Sequence, residues 1–345
     1  MHSTSFDFLA HSQQGNPLPD FSVEQLSISQ SAPGVVQVLP HGTEHYRRAV
    51  VISAGVHGNE TAPIEWLNQF CDQIVTGQVV LTQPLLLILG NLPAIEQGCR
   101  ETSVNMNRLF CGAHQDYPQS YETLRAAELE QQVAQFFARF SHLQPYHFDL
   151  HTAIRASKHE KFAVYPHGNE LLVTEQLAFL QSCGIYAVLF SNKPTTTFSY
   201  HSAKKHSAFA YTLELGRVND FGQNDLSRLQ RFDGAIQQLL RQPQQPRLDF
   251  DTHRAYVYQV TEELTKLAED FEFTFDDQLA NFTEFSEGAI IAKQNGKATR
   301  IEGGARGVVF PNSQVALGHR AALLVKRVEE LELKVLKAQS SSSLP

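Results

Sequence analysis

The chain reads as an α/β protein: a mainly parallel mixed sheet flanked by helices, followed by a smaller all-β domain. Two patterns predict this. Between residues 48 and 241 short apolar runs alternate with amphipathic helical segments, the order that builds parallel sheets covered by helices. Past a Pro- and Gln-rich stretch, Arg241-Gln242-Pro243-Gln244-Gln245-Pro246-Arg247, the long amphipathic segments stop and short strand-like runs begin.

In order, residues 48–56 read as a buried strand. Thr61 to Leu67 opens a helix whose first turn tolerates Pro63. Pro84-Leu85-Leu86-Leu87-Ile88-Leu89-Gly90 is a second buried strand, and Tyr121 to Phe140 is helical, with Leu124, Ala127, Val133, Phe136 and Phe137 near helical spacing. His147 to His151, Phe162 to Tyr165 and Tyr186 to Phe190 are strands, with a helix from Glu170 to Cys183 between the last two. Ala208 to Leu215 is a further strand, and Asp225 to Arg241 a further helix. Ala255 to Val260, Phe271 to Phe275 and Gly288 to Ala292 are short strands, separated by turns at Gly303-Gly304, Gly307, Pro311-Asn312 and Gly318. The expected division is a catalytic α/β domain over residues 1–245, a β domain over 246–335 and a disordered tail over 336–345.

A length of 345 residues allows one large domain or two smaller ones. The formal net charge of −8 argues against a nucleic-acid surface. The N-terminus has no basic start and no apolar signal core, and the run Leu85 to Leu89 is far too short to span a bilayer. Cys71, Cys99, Cys111 and Cys183 form no CxxC pair and read as free thiols in a reducing compartment. The expectation is a cytoplasmic enzyme with a small-molecule substrate, no nucleic-acid partner and no membrane partner. Nothing in the chain indicates its oligomeric state.

The chemistry concentrates in His57-Gly58-Asn59-Glu60, where the first buried strand opens into a loop. A His and a Glu three apart at a strand end form a metal-ligand pair, and zinc hydrolases commonly combine two His and one Glu with an open position for water. His151, in Asp149-Leu150-His151-Thr152, is the best third ligand. Two neutral imidazoles and one carboxylate would leave the ion net positive, able to acidify a water and polarise a carbonyl. Spacing alone leaves this reading level with that of a surface or capping pair. Placement decides more, because ligands of open α/β sheets bind beyond the carboxyl ends of strands.

Glu214 lies in the apolar run Tyr211-Thr212-Leu213-Glu214-Leu215-Gly216. A carboxylate there is costly without a partner or a task. General acid/base work beside a metal and a structural ion pair both satisfy that condition. Arg100, Asn107 and Arg108 supply guanidinium forks and an amide suited to carboxylates. Arg155, with Lys158 and Lys161, either extends that basic pocket or belongs to a solvated loop.

Taken together, Gly55-Val56-His57-Gly58-Asn59-Glu60, Arg100, Asn107-Arg108, Asp149-Leu150-His151-Thr152 and Glu214-Leu215-Gly216 resemble the succinylglutamate desuccinylase/aspartoacylase family, within the zinc carboxypeptidase-like superfamily. The resemblance covers essentially the whole chain, including a C-terminal β domain. It implies that His57, Glu60 and His151 hold one zinc ion. It implies Glu214 as the acid/base, Arg100 as a polariser of the scissile carbonyl, and Asn107 with Arg108 as anchors for a substrate carboxylate. The runs Asn-Met-Asn-Arg-Leu-Phe and His-Thr-Ala-Ile-Arg are most similar to the branch that hydrolyses N-succinyl-L-glutamate at the close of the succinyltransferase route of arginine catabolism. Another N-acyl amino acid deacylase is the nearest alternative, and a non-catalytic zinc-binding protein a more distant one.

Overall fold

The computed structural model describes residues 6–15, 18, 23, 25–167, 174–242, 248–276 and 278–329. Its strands are β1 (Leu26–Ala32), β2 (Val35–Pro40), β3 (Arg48–Ala54), β4 (Leu85–Leu89), β5 (Gln144–Ala153), β6 (Lys161–Tyr165), β7 (Ala187–Phe190) and β8 (Phe209–Arg217), then β9 (Tyr256–Thr265), β10 (Glu272–Phe273), β11 (Thr283–Phe285), β12 (Ile290–Gln294), β13 (Lys297–Arg300), β14 (Arg306–Val309) and β15 (Arg320–Arg327). The helices are α1 (Phe8–Gln14), α2 (Thr61–Val75), α3 (Leu92–Gln97), α4 (Tyr121–Arg139), α5 (Thr174–Ser182), α6 (Phe198–His206) and α7 (Gln230–Arg241).

The main sheet runs β1-β2-β4-β3-β5-β8-β6-β7-β9-β15-β14-β11. Its centre, β4-β3-β5-β8, is parallel. The near-continuous apolar strands there are buried on both faces, as parallel strands covered by helices must be. One face packs α1, α2, α5 and α7 in a core that includes Phe70, Leu180, Phe232 and Ile236. The other packs α4 and α6 through Leu129, Val133, Phe136 and Phe198.

The expected α/β architecture is therefore present, with three differences in detail. The hairpin β1–β2 joins the sheet antiparallel to β4. Its first strand is a polar-rich alternation, Leu-Ser-Ile-Ser-Gln-Ser-Ala, which carries little apolar signal. Strand β6 runs antiparallel to β8. The segment Phe271 to Phe275 narrows to β10, paired with β12 in a separate three-stranded sheet β10-β12-β13. Strand β9 pairs in parallel with β7, so the ladder passes without a break into the C-terminal strands. Most of the expected linker, the first four residues of the Glu170–Cys183 helix and the expected tail lie outside the described residues.

Period-two geometry sorts the side chains that matter. In β5, Tyr146, Phe148 and Leu150 enter the α2/α7 core, so His147, Asp149 and His151 point to the α6 face. In β8, Tyr211, Leu213 and Leu215 do the same, which turns Thr212 and Glu214 toward α6. The Thr212 hydroxyl lies 2.7 Å from that of Ser199 in α6. His151 and Glu214 are direct cross-strand partners and so share a face.

The loop after β3 carries His57 and Glu60 and depends on one close approach. A Cβ on Gly58 would lie 2.1 Å from the backbone carbon of Ala94 and 2.3 Å from the nitrogen of Ile95 in α3. Replacing Gly58 with Ala must push the loop off α3 and is expected to cost about 1–3 kcal/mol of stability or more. The denaturant midpoint of Gly58→Ala reads this directly, and an unchanged midpoint would show that the two backbones are not in contact.

Candidate metal centre and active site

His57 and Glu60 leave the end of β3, and His151 stands near the end of β5. All three are buried. Their ligand atoms form a group within 4.8 Å of one another, which can hold a metal ion. His57 Nδ1 lies 2.8 Å from Glu60 Oε1, and His151 Nδ1 lies 2.8 Å from Glu60 Oε2.

The outer ring nitrogens decide which atoms are free to bind. The Asn105 side-chain oxygen accepts from the Asn107 N–H at 3.0 Å, which fixes the orientation of the amide. That oxygen is 3.0 Å from His57 Nε2, so the imidazole must donate there. Asp149 Oδ2 lies 3.1 Å from His151 Nε2 and likewise demands a donor. In a neutral ring each Nδ1 is then a bare lone pair aimed at a carboxylate oxygen. Two such contacts in a buried site repel unless a cation or proton lies between them. The donor set and its outer partners fit a divalent ion.

Charge distribution agrees at His57, and at His151 it calls for a proton or cation between the ring and Glu60. Burial, with Arg100 nearby, pushes the His57 pKa down to about 4, which favours the neutral ring. Burial opposes charging of His151, yet Asp149 and Glu60 outweigh it and raise its pKa. Beneath the site a buried polar ladder holds Asp149 in place. Ser53 donates to Asp149 Oδ1 at 2.6 Å, Ser53 also meets His147 Nε2 at 2.9 Å, and His147 Nδ1 meets Ser202 of α6 at 2.7 Å.

Glu214 is buried, and its Oε2 has no hydrogen-bond partner among the described residues. Burial, then the nearby Glu60 carboxylate, push its pKa up to about 7. This is the environment of a group able to take and return a proton near neutrality. Of the two readings the sequence left open, the structural ion pair finds no partner among the described residues.

The loop after α3 brings the polar residues in. Arg100 Nη1 donates to Glu60 Oε1 at 2.8 Å, and its backbone carbonyl accepts from Gly58 N. Asn107 Oδ1 accepts from Phe198 N at the start of α6, which leaves its NH2 as the available donor. Arg108 follows in the same 3-10 turn. Arg155 Nε donates to the Pro311 carbonyl at 2.7 Å, so the loop after β14 helps fix its position.

Several site residues escaped sequence reading. Asn105, Asp149, Ser53 and His147 lie behind His57 and His151, and no local pattern separates them from ordinary polar residues. Glu122 is another. Near the start of α4, which Ser120 caps, it is fully buried and accepts from the backbone and hydroxyls of Thr102 and Ser103. It thereby anchors the loop carrying Arg100, Asn105 and Asn107. Burial alone would raise the Glu122 pKa, but those donors outweigh it and hold it down at about 2. A depressed carboxyl stabilises the fold above its unfolded pKa and loses that contribution as pH falls toward the folded value. Glu122→Ala is expected to cost more than about 2 kcal/mol at pH 7, through donors left unpaired. The deficit should shrink between pH 4.5 and about 2, and a pH-independent deficit in denaturant melts would contradict the assignment.

Residues 46–240 match the model of the succinylglutamate desuccinylase/aspartoacylase catalytic domain. The chain belongs to that family. Residues 253–328 match the barrel-sandwich hybrid domain that goes with it. Relatives named succinylglutamate desuccinylase include one from Pseudoalteromonas atlantica, 42% identical over 90% of this chain and 89% of its own. Another, from Chromobacterium violaceum, is 43% identical over 86% and 88%. Among solved structures, succinylglutamate desuccinylase from Vibrio parahaemolyticus superposes with a TM-score of 0.86 at 33% identity, covering 94% of this chain and 97% of that one. The Chromobacterium violaceum enzyme gives 0.83 at 39% identity, with 94% and 98% covered. Within the described residues no helix is long and apolar enough to cross a membrane.

Proposed function

We propose that this protein is a zinc-dependent amidohydrolase that cleaves N-succinyl-L-glutamate to succinate and L-glutamate, the closing step of the succinyltransferase route of arginine breakdown. The observation that carries the reaction class is Glu214: a buried carboxylate with one unpaired oxygen, directly across the ladder from His151. The names of relatives at about two-fifths identity over most of the chain supply the substrate.

His57, Glu60 and His151 would hold the ion. When bound, it lowers the pKa of a water and draws charge from the amide carbonyl. Glu214 takes the proton from the attacking water and returns it to the departing glutamate nitrogen, so one carboxyl serves as base and then acid. Arg100, already held by Glu60, presents a fixed positive charge where the carbonyl oxygen becomes negative. Asn107 and Arg108 bind a substrate carboxylate through an amide N–H and a guanidinium fork. Asp149 and Asn105 fix the two imidazoles so that each offers Nδ1.

The direct test is hydrolysis by zinc-loaded protein of N-succinyl-L-glutamate, N-acetyl-L-aspartate and N-acetyl-L-glutamate. A kcat/KM highest for the succinyl compound is expected. Preference for an acetyl substrate would keep the chemistry and remove the substrate assignment.

A further inference from the structure

Ser53 of β3, His147 and Asp149 of β5, and Ser202 of α6 are all fully buried. Ser53 and Asp149 are direct partners across the β3–β5 ladder, and His147 stands two residues earlier on the same face of β5. Each contact between them has only one possible direction. Ser53 has a single proton, and it goes to Asp149 Oδ1 at 2.6 Å, because a carboxylate oxygen only accepts. The Ser53 oxygen must then accept, so His147 Nε2, 2.9 Å away, carries the ring proton. Burial pushes the His147 pKa down to about 4, so the ring is neutral at pH 7. Its Nδ1 is a bare lone pair, and Ser202, 2.7 Å away, donates to it.

Asp149 thus accepts on both oxygens, from Ser53 on one side and from His151 Nε2 on the other at 3.1 Å. The hydrogen bonds run without a break from α6 to a residue of the metal centre. A histidine buried for packing alone would need no such continuity. The two hydroxyl protons both point toward Asp149, and only a group with a donor on one side and an acceptor on the other can join them. A neutral imidazole held in one tautomer is such a group. With every member buried, a missing link leaves a polar atom without a partner rather than one that water can serve.

Helix α6 reaches the rest of the site as well. Phe198 N donates to Asn107 Oδ1 at 3.0 Å, and Ser199 meets Thr212 on the face of β8 that carries Glu214. We infer that His147 is a positioning residue for the metal centre: through Ser53 and Asp149 it fixes the ring of His151, so that the zinc affinity of the site depends on helix α6. This rests on the metal reading above. It adds that the strength of the centre is set two residues behind the ligand, by a group that touches neither ion nor substrate.

The test measures the zinc dissociation constant of the full chain by competition with a chromogenic chelator. His147→Phe keeps the ring and its edge-on contact with Phe198, 4.6 Å between centroids, and deletes both hydrogen bonds. It should weaken zinc binding about 10-fold, the lower end of the span for a partner behind a metal ligand. His147→Gln places an amide N–H and a carbonyl oxygen at similar reach and should recover most of that loss. Ser53→Ala cuts the same path one step nearer the ion, so Ser53→Ala with His147→Phe should bind zinc no more weakly than Ser53→Ala alone. A merely structural role would lower the melting temperature of the metal-free protein and leave the zinc constant unmoved. That outcome, equal losses in His147→Phe and His147→Gln, or losses that add in the double variant, overturns the inference. Should His147→Phe fail to fold, Ser202→Ala removes only the outermost donor and should weaken zinc binding in the same direction by less, and an unchanged constant there overturns the inference equally. Wild type that binds no zinc would overturn the metal reading itself, and the inference with it.

Discussion

Glu214→Gln should lower kcat by about two to four orders of magnitude, the span that a positioned general acid/base contributes, while bound metal stays at wild-type stoichiometry. Gln keeps the volume and one oxygen but cannot carry the proton from water to the leaving nitrogen. Among the described residues the site offers no substitute close by: Glu60 is occupied by His57, His151 and Arg100, and Asp149 by Ser53 and His151. The substitution also removes the like-charge repulsion from Glu60, one of the causes of the raised Glu214 pKa, so stability should hold or rise. Single-turnover kinetics and elemental analysis on the same sample decide the matter. A variant that keeps its metal and most of its rate would move the acid/base role off Glu214. A variant that loses its metal would make Glu214 a structural neighbour of the ligands instead.

Removing the ion is expected to abolish turnover and lower the melting temperature together. The ligand group belongs to the rigid centre of the sheet, at the ends of β3 and β5, and its Nδ1 atoms face Glu60 with no other cation between them. Without the metal those contacts must recruit a proton or open, and either lowers stability. An ion present at a hundred times its dissociation constant stabilises the native state by about 2.7 kcal/mol, several degrees in a protein of this size. Zinc added back after chelation should restore both rate and melting temperature. His151→Ala should reproduce the loss and resist rescue, because it removes a ligand and leaves Asp149 without its imidazole partner. Chelated protein, verified as metal-free, that melted and turned over as before would sink the metal assignment.

The two results interlock. A metal site without Glu214 chemistry would describe a zinc-stabilised binding protein, and Glu214 chemistry without the metal would leave the scissile carbonyl polarised by Arg100 alone. Only loss of activity in both experiments, with metal retained in the first, matches the proposed hydrolase.

The sequence by itself determined the parallel centre of the sheet and the place of His57 and Glu60 at the end of a strand. Apolar runs such as Val50-Val51-Ile52 and Leu85 to Leu89 can be satisfied only by burial on both faces, and a His–Glu spacing of three at the end of such a run is visible without coordinates. Glu214 was legible for a related reason, because a carboxylate inside an apolar strand is conspicuous. What lies behind these groups was not. Asp149 looked like a neighbour of a ligand, yet its role depends on a face shared with Ser53 and His147 across two strands. Glu122 carries no local signal in the first turn of its helix, yet it is the buried anchor of a loop some twenty positions earlier. Arg155 was visible as a cation close after the third ligand, but its Nε bond to the Pro311 carbonyl, 156 positions along the chain, was not. The physical division is one of range. Burial and strand period are properties of neighbours along the chain, so sequence reports them. Which polar group faces which depends on strand order and on how β9 joins β7, and only the assembled sheet decides that.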